Sequence, residues 1–512
     1  MKSFNKKSFF VFGVLILGSF YSFVCLSSKD EKPAKPNIIV FLVDDMGLMD
    51  TSVPFLTDNK NKPKEYPLNK LYSTPNMKML AKQGIRFSNF YAHSVCSPSR
   101  TSILTGQNSA RHGVTNWIRP EFNNKGTYGP ENWNWKGLTK EGITLPKMLK
   151  EEGYKTIHVG KAHYGPIGSE GGDPLNLGFD INIGGSAIGQ PGSYYGMENF
   201  GNLKGRKKRA VKGLEKYHGQ ELFLTEALTI EAKKFISQSK EERKPFFLQM
   251  SHYAVHSPFQ SDKRFQEKYK NKKVPKKAKA FATLIEGVDK SLGDIINHVK
   301  NLGLGENTIL FFVGDNGSDA PLKIESNYSS SFPLKGKKGT HWEGGMRVPF
   351  LACWISHDKN NKYQKELSIK KGMVQEQMGT IMDIFPTICD VVGIDIPRNY
   401  IIDGTNLKKQ LSGKKNNRRK EIFLNHYPHK HRSSYYTSLV LSNWKVVYHY
   451  QIDGMPKYEL YNLKTDPFES KNLVEGKPTR LKKMLKALKS ELYDKNALYP
   501  IKNKEKLEVI IP

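Results

Sequence analysis

The sequence predicts an α/β fold: a large mixed sheet flanked by helices, followed by a smaller C-terminal α+β subdomain. Three observations predict it. After residue 36, apolar strand-like runs alternate with helical patterns. Several of these runs end in polar residues, which in an open α/β sheet places them where ligands collect. Near residues 395–420 the chain becomes rich in Lys, Asn and Gly, and antiparallel strand patterns follow.

The elements follow in chain order. Residues 1–27 read as a signal peptide: Lys2, Lys6 and Lys7 precede an apolar stretch from Phe9 to Val24, and Ser27-Ser28 follow. The apolar stretch is short for a membrane span. The expectation is export to the periplasm or beyond, with cleavage near residue 27 and no integral membrane segment afterwards. Cys25 offers a lipoprotein anchor as an alternative, but Val24 before it fits a lipobox poorly. Asn37 to Val43 is a largely apolar run ending in Asp44-Asp45, suiting a buried parallel strand tipped with acids. Thr156–Gly160 and Pro245–Met250 repeat the pattern more loosely. Phe281, Leu284, Ile285, Val288, Leu292, Ile295, Ile296 and Val299 keep a 3.6-residue period, and Gly303 closes that helix. Thr308–Val313 is another apolar strand, ending in Gly314-Asp315-Asn316-Gly317. Residues 36–395 thus read as one domain. Residues 396–512 read as a second, with strands at Trp444–Tyr448 and Tyr458–Leu463. Its last helix carries Leu481, Met484, Leu485, Leu488 and Leu492 on one face.

Composition narrows the function. A chain of 512 residues with 38% hydrophobic residues builds a sizeable core. Four cysteines are too few for a disulfide scaffold. Cys353 and Cys389 lie in apolar runs and read as small buried hydrophobes, whereas Cys96 sits among polar residues. The net charge of +31 suits attraction to a polyanion, or simply a lysine-rich solvated surface. The lysines are scattered and no nucleic-acid motif accompanies them, so nucleic-acid binding is not expected.

Cys96-Ser97-Pro98-Ser99-Arg100, followed by Leu104-Thr105-Gly106, carries the chemistry. This C-x-P-x-R pentapeptide resembles the signature of type I sulfatases. Gly160-Lys161-Ala162-His163 resembles the G-K-x-H segment of that family. His256 in Ala254–Pro258 and Lys338 in Gly336–Gly345 match two further segments, and Lys337 stands where a small residue is common. The resemblance covers roughly residues 36–395 and points to exported, polysaccharide-utilising carbohydrate sulfatases with an alkaline-phosphatase-like sheet.

The resemblance implies a mechanism. Cys96 would be oxidised to formylglycine by a maturation enzyme. One hydroxyl of its hydrate would attack sulfur, and the other would expel sulfate. Arg100 would hold the diol or the sulfate with its planar fork, and Lys161 would pair with the same oxygens. His163 would take a proton during sulfate release. His256 and Lys338 would protonate the departing alcohol. Asp44, Asp45, Asp315 and Asn316 would bind a metal; oxygen-only donors favour calcium, with magnesium second. The Ile103–Gly106 stretch suggests a helix starting after Pro98, whose positive end would face the anion.

The implied substrate is a sulfated oligo- or polysaccharide of the galactan or glycosaminoglycan type. Trp117, Arg119, His426, His429 and Arg432 are candidate sugar contacts, carried on loops. Two alternatives stay open here. One is a phosphomonoesterase or phosphonate hydrolase on the same sheet. The other is a non-catalytic sulfoglycan-binding protein, which would be expected to have lost Cys96 or its histidines.

Overall fold

The computed structural model describes residues 35–203, 207–322, 329–450 and 454–512. The leader expected at residues 1–27, with Cys25, lies outside the described residues. No helix among the described residues is long and apolar enough to cross a membrane.

The strands are β1 (Asn37–Val43), β2 (Ile85–Phe87), β3 (Phe90–Tyr91), β4 (Lys155–Gly160), β5 (Ile181–Ile183), β6 (Phe246–His252), β7 (Thr308–Gly314), β8 (Phe350–Trp354), β9 (Val374–Gln375), β10 (Gly379–Thr380), β11 (Ile422–Lys430), β12 (Ser434–Leu441), β13 (Trp444–His449) and β14 (Tyr458–Asn462). Eight of them form one mixed sheet in the order β5-β4-β6-β1-β7-β8-β2-β9. The central strands β4, β6, β1 and β7 run parallel. β8 turns antiparallel against both β7 and β2.

The central strands are apolar because both faces are covered. Ile39, Phe41 and Val43 of β1 enter one hydrophobic cluster, with the helices Leu224–Glu241 and Lys276–Asn301. Ile38, Val40 and Leu42 enter the other, with the helices Cys96–Thr105, Leu145–Glu151 and Ile384–Val392. Cys353 and Cys389 are buried in these two cores, as their apolar surroundings suggest.

Register sets the site. Val43 lies opposite His252 on one side and Gly314 on the other, and Gly160 lies opposite Ser251. The parallel strands therefore stop together. Asp44-Asp45, Lys161–His163, His256 and Asp315-Asn316 all leave the same rim.

The C-terminal part is an antiparallel sheet in the order β11-β12-β13-β14. The helix Pro478–Asp494 lays Leu481, Met484, Leu485, Leu488 and Leu492 on it. β11 departs from the sequence expectation. The segment from His426 to Arg432, read as a loop, is mostly the end of this nine-residue strand. Its polar histidines hid it, because each finds a hydrogen-bond partner inside the fold.

Candidate active site

Cys96 opens the ten-residue helix Cys96–Thr105, every residue of which is buried; it starts earlier than the expected point after Pro98, because proline needs no backbone donor in a helix's first turn. No side chain caps that helix, so its positive end lies at Cys96 itself. His163 faces the thiol, with Nδ1 3.3 Å from Sγ. The other ring nitrogen, Nε2, is 2.6 Å from the carbonyl of Ile118. A carbonyl only accepts, so Nε2 carries the hydrogen and Nδ1 presents a lone pair to residue 96. Burial, then the charge of Lys161, holds the imidazole well below its usual pKa, in the neutral form a base requires. Gly189 lets the ring lie there: a Cβ at that position would come within 2.7 Å of it. Burial pushes the Cys96 thiol up, although Lys161 and Lys338 oppose it. The thiol thus stays protonated and is a poor nucleophile as it stands.

Behind this pair lies a buried cluster of opposite charges. Lys161 Nζ donates to Asp44 Oδ2 at 2.8 Å. Arg100 Nε donates to Asp315 Oδ2 at 2.8 Å, and another of its nitrogens donates to the Lys161 carbonyl at 2.7 Å. Lys338 Nζ lies 2.6 and 2.8 Å from the two oxygens of Asp45. His256 Nε2 is 3.5 Å from the second of these oxygens. Burial pushes the Asp45 carboxyl up, but His256 and Lys338 outweigh it and hold it well below the usual carboxylate range. Burial likewise lowers His256, to about 4. Lys338 is held above its usual value because Asp45 outweighs the effect of burial.

A metal fits the oxygens. Carboxylate oxygens of Asp44, Asp45 and Asp315 lie within 4.8 Å of one another and are fully buried. Asp44 Oδ1 and Asn316 Oδ1 have no hydrogen-bond partner despite complete burial. Buried oxygens left unpaired are costly unless a cation takes them. Oxygen donors of this kind suit calcium or magnesium rather than a softer ion.

The expected sugar contacts are divided. Arg432 reaches the site: it donates to the Lys338 carbonyl at 3.2 Å and pairs with Asp319 at 2.6 Å. Trp117 is half-buried against the small cluster that contains Val95, the neighbour of Cys96. Arg119 is partly exposed and stacks on Phe122, 4.3 Å from the ring centre. His426 and His429 are not brought to an open surface. His426 spends its ring on Thr437 and the Leu498 carbonyl, and His429 on Thr115 and the Lys125 carbonyl.

Two groups escaped the sequence reading, Ile118 and Asp319, whereas His431 lay within the segment His426–Arg432. Ile118 acts through its carbonyl, which no side-chain pattern reveals. Asp319 anchors Arg432 from an unremarkable loop. His431 faces Gly339, where a Cβ would sit 2.1 Å from its Nδ1, and that nitrogen has no hydrogen-bond partner.

This parallel-centred sheet, with the Cys96 helix and an oxygen cluster at its rim, defines an alkaline-phosphatase-like protein. Sequence comparison narrows the class. The sulfatase family profile matches residues 36–394. A second profile, the C-terminal region of N-sulphoglucosamine sulphohydrolase, matches residues 338–497. The chain belongs to the sulfatase family. It is 30% identical to N-acetylgalactosamine-6-sulfatase of Mus musculus over 385 residues, which is 73% of this chain and 66% of that protein's length. It is 27% identical to a sulfatase of Formosa agariphila, covering 94% of this chain and 91% of that one. Among solved structures, Ps i-CgsB in complex with k-i-k-neocarrahexaose superposes with a TM-score of 0.69. That match has 25% identity and covers 90% of this chain and 93% of the other.

Proposed function

We propose that this protein is an exported sulfatase that hydrolyses sulfate esters on a sulfated carbohydrate, using formylglycine at position 96 and a calcium ion. Residues 36–395 would form the catalytic domain and 396–512 the subdomain packed on it. The observation that carries the reading is the Cys96–His163 pair: a neutral base aimed at a buried residue inside a C-x-P-x-R motif.

Each residue has a task in this reading. The hydrated aldehyde supplies a nucleophile and a second hydroxyl through which sulfate can leave. His163 Nδ1 holds and takes the proton of that second hydroxyl. Arg100, tied to Asp315 and the Lys161 carbonyl, fixes the geometry around the nucleophile and is a positioning residue as much as an anion clamp. Lys161 and Lys338 neutralise the sulfate oxygens. Lys338, kept charged by Asp45, protonates the leaving alcohol, and His256 beside it accepts and relays hydrogen bonds. Asp44, Asp45, Asp315 and Asn316 would hold calcium, which supplies charge for the sulfate and the developing oxyanion.

The substrate class follows from the partly open rim. Trp117 and Arg119 offer an aromatic face and a cation, and Arg432 stands beside Lys338. The mouse relative is named for N-acetylgalactosamine and the structural neighbour holds k-i-k-neocarrahexaose, which supports a sulfated sugar of the galactan or glycosaminoglycan class. The test is kcat/KM on a panel of defined sulfated galactosides, with products located by NMR, against the matching phosphate esters. A phosphate preference would replace this reading with the phosphomonoesterase one. Binding of sulfated glycans without turnover, by protein matured at residue 96, would replace it with the non-catalytic one.

A further inference from the structure

A second cluster of metal-type donors lies apart from the rim, between the loop 336–345 and the C-terminal sheet. His341 comes from that loop, His449 from the end of β13 and Glu459 from β14. All three side chains are nearly or wholly buried. Nε2 of His341 and Nε2 of His449 lie 3.0 and 2.8 Å from one oxygen, Oε1 of Glu459. All three donor atoms fall within 4.8 Å of one another. Zinc bonds of 2.0–2.1 Å in a tetrahedron separate neighbouring donors by about 3.3 Å, close to these spacings.

Three details separate this cluster from an ordinary hydrogen-bonded group. His341 Nε2 approaches Oε1 closely but lacks the alignment of a hydrogen bond, so that buried nitrogen has no partner. Two of the three remaining atoms are held as outer contacts of a metal site hold them, while His449 Nδ1 is buried without a hydrogen-bond partner. Ser433 Oγ is 2.8 Å from His341 Nδ1, and the Tyr461 hydroxyl donates to Glu459 Oε2 at 2.5 Å. Those contacts leave both Nε2 atoms and Oε1 to converge. Finally, among the described residues the only ion-pair partners of Glu459 are these two imidazoles. Nearby Lys445 is engaged instead by Glu343 and Glu469.

We propose that His341, His449 and Glu459 bind a zinc-type divalent ion, a second metal site distinct from the oxygen cluster at Asp44, Asp45 and Asp315. Two imidazoles and one carboxylate select a first-row transition metal over calcium. The ion would fasten the loop that carries Lys338 to β13 and β14. The inference stands whether or not the sulfatase reading holds.

The test is metal analysis of the purified full chain. Zinc should bind at one equivalent and survive a large excess of calcium. Cobalt(II) in its place should give the intense visible bands of a tetrahedral site. His449→Gln and Glu459→Gln should each weaken zinc binding on the order of 100-fold or more, with calcium content unchanged. Lack of cobalt bands in the wild-type protein, or displacement of zinc by calcium, would overturn the proposal without any variant having to fold. So would folded variants that bind zinc as the wild type does.

Discussion

Lys445→Met tests how the C-terminal sheet is held to the loop that carries Lys338. Lys445 stands on β13, fully buried, with Nζ 3.1 Å from Glu343 and 2.7 Å from Glu469. Glu343 also accepts from the Tyr91 hydroxyl at 2.7 Å, and Glu469 accepts from the Glu343 backbone at 2.7 Å. Methionine keeps the length of the side chain and removes the cation, leaving two carboxylates facing each other in the core. Breaking a buried pair from one side costs about 3–5 kcal/mol. Melting entropy near 2.1 cal/mol/K per residue gives about 1 kcal/mol/K for roughly 480 residues, so the melting temperature should fall by about 3–5 °C. The deficit should depend on pH. Burial raises Glu469 to about 7, against the pull of Lys445. A raised carboxyl binds its proton more tightly in the folded state, so stability falls as pH rises from about 4.5 towards 7. Without Lys445 that window extends upward, and the deficit should be larger at pH 8 than at pH 5. Differential scanning fluorimetry at both pH values is the assay. An unchanged melting temperature at pH 8 would refute the reasoning. So would a Lys445→Met/Glu469→Gln double variant no more stable than the single one, because that change removes the unbalanced charge.

Four further outcomes are expected. Cys96→Ala should lose all sulfatase activity while keeping its circular dichroism and melting temperature, and in the active protein the peptide containing residue 96 should react as an aldehyde. Asp315→Ala should lose bound calcium, measured by elemental analysis, and should also melt earlier, because it strands the buried Arg100 cation. His163→Gln should lower kcat by about 10²–10⁴-fold, the usual scale of acid–base catalysis, with KM little changed. Arg432→Ala should raise KM for a sulfated sugar and leave a small aryl sulfate nearly untouched, since contacts remote from the sulfate are made only by the full substrate.

Much of the fold was legible because buried parallel strands read as apolar runs, and here those runs end where the chemistry begins. Asn37–Val43 and Thr308–Gly314 came close to their sequence bounds for that reason. The helix Lys276–Asn301 followed its 3.6-residue period, and Gly303 beyond it adopts the positive φ that stops a helix. The site groups were legible for the same reason: most stand within a few residues of a strand end. What the sequence concealed was packing between distant segments. β11 looked like a loop because His426 and His429 are polar, yet hydrogen bonds inside the fold satisfy both. The Ile118 carbonyl sets the tautomer of His163, and a backbone oxygen leaves no mark in a sequence. The His341–His449–Glu459 cluster joins a loop to two strands, a spacing that fits no local ligand pattern.

Charge balance explains why so polar a site can be buried. Asp44, Asp45 and Asp315 face Arg100, Lys161 and Lys338, three carboxylates against three cations, all of them buried. The pairing is close to neutral, so the buried cluster avoids the large penalty of uncompensated charge. Each cation is held by a carboxylate rather than left free, which fixes its position before any anion arrives. A dication taken up by the orphaned oxygens of Asp44 and Asn316 would tip that balance to positive. The pocket would then attract a sulfate ester through a field already in place, and the cations would need little movement to meet it. This accounts for a feature that the motifs alone leave puzzling: Arg100, the arginine of the C-x-P-x-R segment, spends its hydrogen bonds on Asp315 and the Lys161 carbonyl. In this structure it ties the helix Cys96–Thr105, the segment after β4 and the end of β7 into one arrangement.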